Sequence, residues 1–198
     1  MGSFRNRVID VVTGLSAVTA LVVAISVYLD GRERKFLTEG GPPKTYSAWA
    51  TLAEAGHSAG PQDAPVTIIQ FSDYECPSCR AMKGHLEFIL SEFPGQIRLV
   101  YRHWPLRYHE LAYPAARAAE CAGAQGLFWP YNDLLYSNSE WLNDPDGHFL
   151  EFAEQIQIPA MGSFELCLAD SSPVPAIERD ILAMTGVGNG TPSVLVND

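Results

Sequence analysis

Positive charge is scarce in this chain: 13 Lys and Arg stand against 23 Asp and Glu over 198 residues, a formal net charge of −10. Neutralising a phosphate backbone takes clustered Lys and Arg, so nucleic acid is excluded as a partner. There is no Gly-rich phosphate loop and no His-Glu-x-x-His pair, which removes the common signatures of nucleotide and zinc-protease chemistry. No internal repeat is present, so solenoids and propellers drop out. Cysteine is sparse too, four residues in all, with a single Cys-x-x-Cys at Cys76-Pro77-Ser78-Cys79. A zinc site there would need two further Cys or His ligands. His103 and His109 are the nearest in sequence order, and without a second Cys-x-x-Cys the pattern argues against a metal. No metal and no cofactor are expected.

The chain does contain one long uncharged apolar run, Val11–Leu29. As a helix it would extend roughly 28 Å, about the hydrocarbon thickness of a bilayer. Arg5 and Arg7 precede it; Arg32, Arg34 and Lys35 come after it, offset by Asp30 and Glu33. This near balance leaves orientation unset by charge. A cleavable signal peptide is the rival reading, with Ala24-Ile25-Ser26 as a small-x-small site. The run is long for that and its start weakly basic, so a single-pass anchor over residues 1–30 is the favoured expectation. Either reading exports the domain C-terminal to the run.

Val66–Phe71 reads as a strand, and Met82, Leu86, Ile89, Leu90 and Phe93 recur at helical spacing behind the cysteine pair. Cys76 therefore falls at a helix start, where free N–H groups and the dipole favour a thiolate. Cys79, one turn on, lies within reach of a disulfide with it. Pro77 has no N–H to offer the sulfur; Ser78 offers a hydroxyl and an N–H. The remaining cysteines, Cys121 and Cys167, fit a structural disulfide in an exported chain, the alternative being two buried free thiols.

Residues 31–62 pass from a charged patch through Gly40-Gly-Pro-Pro43 to Ser/Ala/Gly-rich sequence. They read as a juxtamembrane linker with a short helix around Tyr46–Ala55. The folded domain is placed at 63–198: strand 66–72, helix 76–93, strand 96–104, a helical block over about 107–186 and a last strand 192–196. Within the block, helices are expected at 111–124, 128–136, 147–158, 163–169 and 174–186.

This order of strand, helix, strand, helical block and strand resembles a thioredoxin-type α/β fold with a helical insertion. The segment Asp63–Cys79 resembles the DsbA-like thiol–disulfide oxidoreductases, including BdbD-like members with Cys-Pro-Ser-Cys. So do Tyr101-Arg-His-Trp-Pro-Leu106, Ala118-Ala-Glu-Cys-Ala122, Gln125-Gly-Leu-Phe-Trp129 and Gly190-Thr-Pro-Ser-Val-Leu-Val-Asn197. The likeness spans roughly residues 60–198. It implies Cys76 as the exposed nucleophile and Cys79 as its buried partner, with Pro77 and Ser78 tuning the potential. It further implies Thr191-Pro192 as a cis-proline loop whose backbone pairs with substrate peptide. Without the cysteine pair, that proline would read as an ordinary loop residue.

The implied partners are reduced protein substrates and a quinone-linked membrane protein that reoxidises the pair. A reductase or isomerase using the same dithiol, and a non-catalytic accessory subunit of a membrane complex, are the alternatives. Two departures from the family pattern stand out. The acid often found six residues before the first cysteine is here Gln70, while Asp73 and Glu75 read as solvated surface residues. The family's further strand and closing helix are also missing after Val196, so either the chain is cut short or a rearranged sheet or membrane-complex partner covers that edge. His85 reads as a surface side chain, His103 and His109 as borders of the groove, and Phe128, Trp129, Tyr131 and Tyr136 as packing.

Overall fold

The structure, a computed structural model, describes residues 49–143, 145–185 and 188–197, the side chains of 145–147 excepted. The expected membrane anchor lies outside the described residues. Among those described, no helix is long and apolar enough to cross a membrane.

Two strands, β2 (Val66–Ser72) and β3 (Ile97–His103), run parallel from Val66 opposite Ile97 to Ser72 opposite His103. Parallel neighbours need a crossover, and helix α2 (Pro77–Glu92) supplies it. Both strands are buried along most of their length, as expected of a sheet covered on two faces. Alternation then divides the side chains. Ile69, Phe71 and Val100 pack with Leu52 and Ala53 of helix α1 (Trp49–Glu54) and Met184 of helix α7 (Pro175–Met184). Ile68, Ile97 and Leu99 pack with Leu86 of α2. Gln70 and Ser72 fall on the same side of β2 as Ile68, so two polar side chains lie buried on the α2 face.

The sheet has four strands in the order β1-β3-β2-β4, with β1 (His57–Ala59) and β4 (Ser193–Val196) both antiparallel to their neighbours. β1 lies inside the stretch read from sequence as linker. It is only three residues long and has no apolar run, so it carries no hydrophobic period and pairs through its backbone. Its flanking glycines were the readable sign. Gly56 and Gly60 have φ of +95° and +89°, and a Cβ on either would meet a β3 carbonyl oxygen, at 2.4 and 2.2 Å respectively. A side chain there would be both strained and blocked.

Helices α3 (Ala112–Gly123), α4 (Phe128–Ser137), α5 (Pro145–Gln155) and α6 (Met161–Ala169), with α7, form the helical insertion. Six of the alanines of α3 are buried, which lets α4 and α6 approach closely. Cys121 and Cys167 are joined in a disulfide between α3 and α6, with Cα atoms 5.8 Å apart. Closing 46 residues of chain corresponds to about 4 kcal/mol in the chain-entropy account.

The dithiol site

Cys76 caps α2 from an extended conformation (φ −72°, ψ 120°), and Pro77 takes the first helical position, where a missing N–H costs nothing. The turn before it is held by Asp73. Its Oδ1 accepts the N–H of Glu75 at 2.8 Å and of Cys76 at 3.2 Å; its Oδ2 accepts Leu106 N–H at 2.8 Å and lies 2.8 Å from His109 Nδ1. Asp73 is 1% exposed, so the surface reading of this residue is corrected. It is a fully engaged carboxylate that ties the Cys76 turn to the loop after β3. Glu75 is engaged as well, accepting Leu111 N–H at 2.8 Å. The sequence signal was available in the Asp-x-x-Cys spacing, which suits a side chain accepting N–H groups two and three residues on.

Thr191 and Pro192, joined by a cis peptide bond, face this turn. The Cys76 thiol donates toward the Thr191 carbonyl at 3.6 Å, and the Thr191 hydroxyl is buried with no hydrogen-bond partner. Burial pushes the Cys76 thiol up, yet it ends below its ordinary value. The Thr191 hydroxyl, the N–H groups of Cys79 and Ser78 and the Cys79 thiol all favour its thiolate. Ionisation thus gives the Thr191 hydroxyl an acceptor. Cys79 behaves oppositely. It is fully buried, accepts Asp73 N–H at 3.5 Å, and burial pushes its thiol up to about 11 despite that bond and the Ser72 and Thr191 hydroxyls. Pro77 and Ser78 are exposed beside the pair, but Cys76, expected as the exposed sulfur, is itself buried at 7% exposure. The surroundings thus favour the thiolate at Cys76 and the thiol at Cys79.

A second cluster lies on β1, β3 and α3. His57 Nε2 and His103 Nε2 both approach Glu120 Oε1, at 2.7 and 2.8 Å. It differs from the His103–His109 combination considered from sequence, since His109 is taken by Asp73. Two His and one Glu can ligate zinc, but His103 Nδ1 is buried without a partner. With an ion on Nε2 that nitrogen would have to carry a proton with no acceptor, against the usual outer-shell support of a ligating histidine. The cluster fits a hydrogen-bonded network instead. Burial pushes the Glu120 carboxyl up, and the two histidines more than reverse this, to about 2.

Thiol–disulfide exchange is the chemistry of such a pair, and the surrounding fold is that of the DsbA-type protein disulfide oxidoreductases. The thioredoxin family profile matches residues 52–198, and the chain belongs to that family. Among solved structures it is similar to a thioredoxin-like oxidoreductase from Silicibacter pomeroyi DSS-3, with 27% identity, TM-score 0.66, and coverage of 78% of this chain and 87% of that one. It is also similar to Pseudomonas aeruginosa DsbA2, with 26% identity, TM-score 0.57, and 80% and 82% coverage. Bacillus subtilis BdbD, at 24% identity and TM-score 0.62 over 71% and 80% of the chains, shares the fold. Curated relatives include a protein named Na(+)/H(+) antiporter NhaA 1 from Salinispora arenicola, 38% identical over 144 residues. That match covers 71% of this chain and 21% of the relative, so the chain spans about a fifth of that relative's length.

Proposed function

We propose that this chain is an extracytoplasmic enzyme that introduces disulfides into exported proteins through a Cys76–Cys79 disulfide. A substrate thiolate attacks Cys76 Sγ; the Cys76–Cys79 bond breaks, and Cys79 departs as a thiolate that takes up a proton. The substrate's second thiolate then attacks its own sulfur in the mixed disulfide, and Cys76 leaves as a thiolate. Two substrate thiols are oxidised and one protein disulfide is reduced. The asymmetry of the pair carries this reading, because a stabilised Cys76 thiolate makes the reduced protein the better product.

Thr191-Pro192 is the proposed seat of the substrate backbone beside Cys76. A quinone-linked membrane partner is the proposed reoxidant, and the apolar run Val11–Leu29 the anchor that brings the domain to it. The occurrence of a similar sequence within proteins named as ion antiporters supports work beside a membrane. β4 leaves Val194 and Val196 exposed, at 37% and 55%, a face on which a membrane-complex partner would fit.

The test is an oxidase assay on a reduced, unfolded protein substrate. The oxidised full chain should restore its disulfides, and Cys76→Ser should abolish that activity. A Cys76→Ser protein as active as the parent contradicts the proposal.

A further inference from the structure

A carboxylate beside a nucleophilic thiol opposes it, because a like charge disfavours the thiolate. Asp73 is such a group. Its side chain is fully buried, Oδ1 accepts the Cys76 N–H at 3.2 Å, and the Asp73 N–H is aimed at Cys79 Sγ at 3.5 Å. Yet the Cys76 thiol lies below its ordinary value, so the Asp73 charge is dispersed over other donors.

Three of these donors are backbone N–H groups, of Glu75, Cys76 and Leu106. Among the described residues the single side chain bonded to the carboxylate is His109, with Nδ1 2.8 Å from Oδ2. A carboxylate accepts and does not donate, so the network assigns the imidazole proton to Nδ1. The His109 ring packs edge-on against Tyr108, centroids 4.6 Å apart. Arg107 and Glu110 are exposed on either side in sequence, and Glu75 accepts Leu111 N–H at 2.8 Å. The loop after β3 is thus held on two carboxylates that flank Cys76 in the chain, with His109 joined to the dithiol turn through Asp73.

We propose that His109, by donating its Nδ1–H to Asp73, offsets the Asp73 charge beside Cys76 and so sets the redox poise of the dithiol toward oxidation. Two glutathione thiols reduce the Cys76–Cys79 disulfide to a Cys76 thiolate and a Cys79 thiol. They leave as one glutathione disulfide, and one proton goes to solvent. The oxidised pair carries no charge, whereas the reduced pair places one on Cys76. A donor that disperses the Asp73 charge therefore stabilises the reduced protein alone, which makes the disulfide the stronger oxidant. His109 acts through Asp73 and is a positioning residue. The inference rests on the dithiol reading of Cys76 and Cys79.

The experiment equilibrates the full chain with glutathione buffers at a pH above the ionisation of Cys76. His109→Leu removes the donor, whereas His109→Asn keeps an N–H where Nδ1 stood. His109→Leu should shift the equilibrium constant toward the disulfide about threefold to tenfold, the usual reach of one hydrogen bond to a charged group. That is a midpoint about 15–30 mV more negative, at roughly 30 mV per tenfold for two electrons. In the same variant, iodoacetamide should modify Cys76 only at higher pH than in the parent. His109→Asn should keep both readouts within about twofold of the parent.

His85→Leu is the control. It removes an exposed histidine from α2, the helix that carries the pair, and should leave the midpoint within about twofold. A midpoint unmoved in His109→Leu, whatever its loss of stability in chemical denaturation, overturns the proposal and leaves the dithiol reading intact. An equal shift in His109→Asn or in His85→Leu overturns it as well. A parent chain in which Cys76 and Cys79 form no disulfide in any glutathione buffer would instead overturn the dithiol reading itself.

Discussion

At the residue scale the pair is built to keep its two sulfurs in different protonation states. Cys76 sits below its ordinary thiol value of 9.0 and Cys79 is pushed up to about 11. The signs oppose each other. Lowering the folded value of Cys76 stabilises the reduced protein fully above pH 9, and that contribution is lost as pH falls through the lowered value. Raising that of Cys79 contributes fully below pH 9 and is lost as pH climbs toward 11. Iodoacetamide labelling of the reduced chain, read by mass spectrometry across pH, should modify Cys76 already below pH 9 and Cys79 only near pH 11 or on unfolding. Equal labelling of both near pH 9 would show that α2 and Thr191 do not set them apart.

At the element scale, α1 and α7 are fastened to β3 by one buried ion pair. Arg102 Nε donates to Asp180 Oδ1 at 2.7 Å and its Nη1 to Leu52 O at 2.8 Å, while His103 N–H donates to Asp180 Oδ2 at 2.8 Å. Both side chains are about 2% exposed or less. Asp180→Asn should therefore cost about 3 kcal/mol in chemical denaturation, the range for stranding one partner of a buried pair; a loss under about 1 kcal/mol would place the fastening elsewhere. Neither residue stood out in the sequence, where Arg102 and Asp180 are 78 positions apart and look like ordinary surface charges. The elements themselves were legible because period and punctuation coincided. Val66–Phe71 is a largely apolar run entered from Pro65, Ile97–His103 alternates after Pro94-Gly95, and α2 carries its stripe over Met82, Leu86, Ile89 and Leu90. The cysteine pair and Thr191-Pro192 were legible as motifs. β1 was not, since backbone pairing leaves no side-chain period. Asp73 escaped for another reason: its role exists only where the Cys76 turn meets the loop after β3, 33 positions on at Leu106.

At the scale of the whole molecule, a three-layer frame places one dithiol where α2 begins, the cis-proline loop arrives and the helical insertion closes over it. Tyr74, Cys76 and Cys79 belong to the same buried cluster as the insertion's core, so the insertion and the reactive end of α2 pack as one unit. That arrangement serves oxidation of substrates only if the reduced state is the more stable one. The redox equilibrium of the Cys76–Cys79 pair against glutathione buffers tests this directly. The midpoint should fall in the oxidising range, roughly −120 to −180 mV. A midpoint near −270 mV, about the value of a reducing thioredoxin, would contradict a disulfide-donating role.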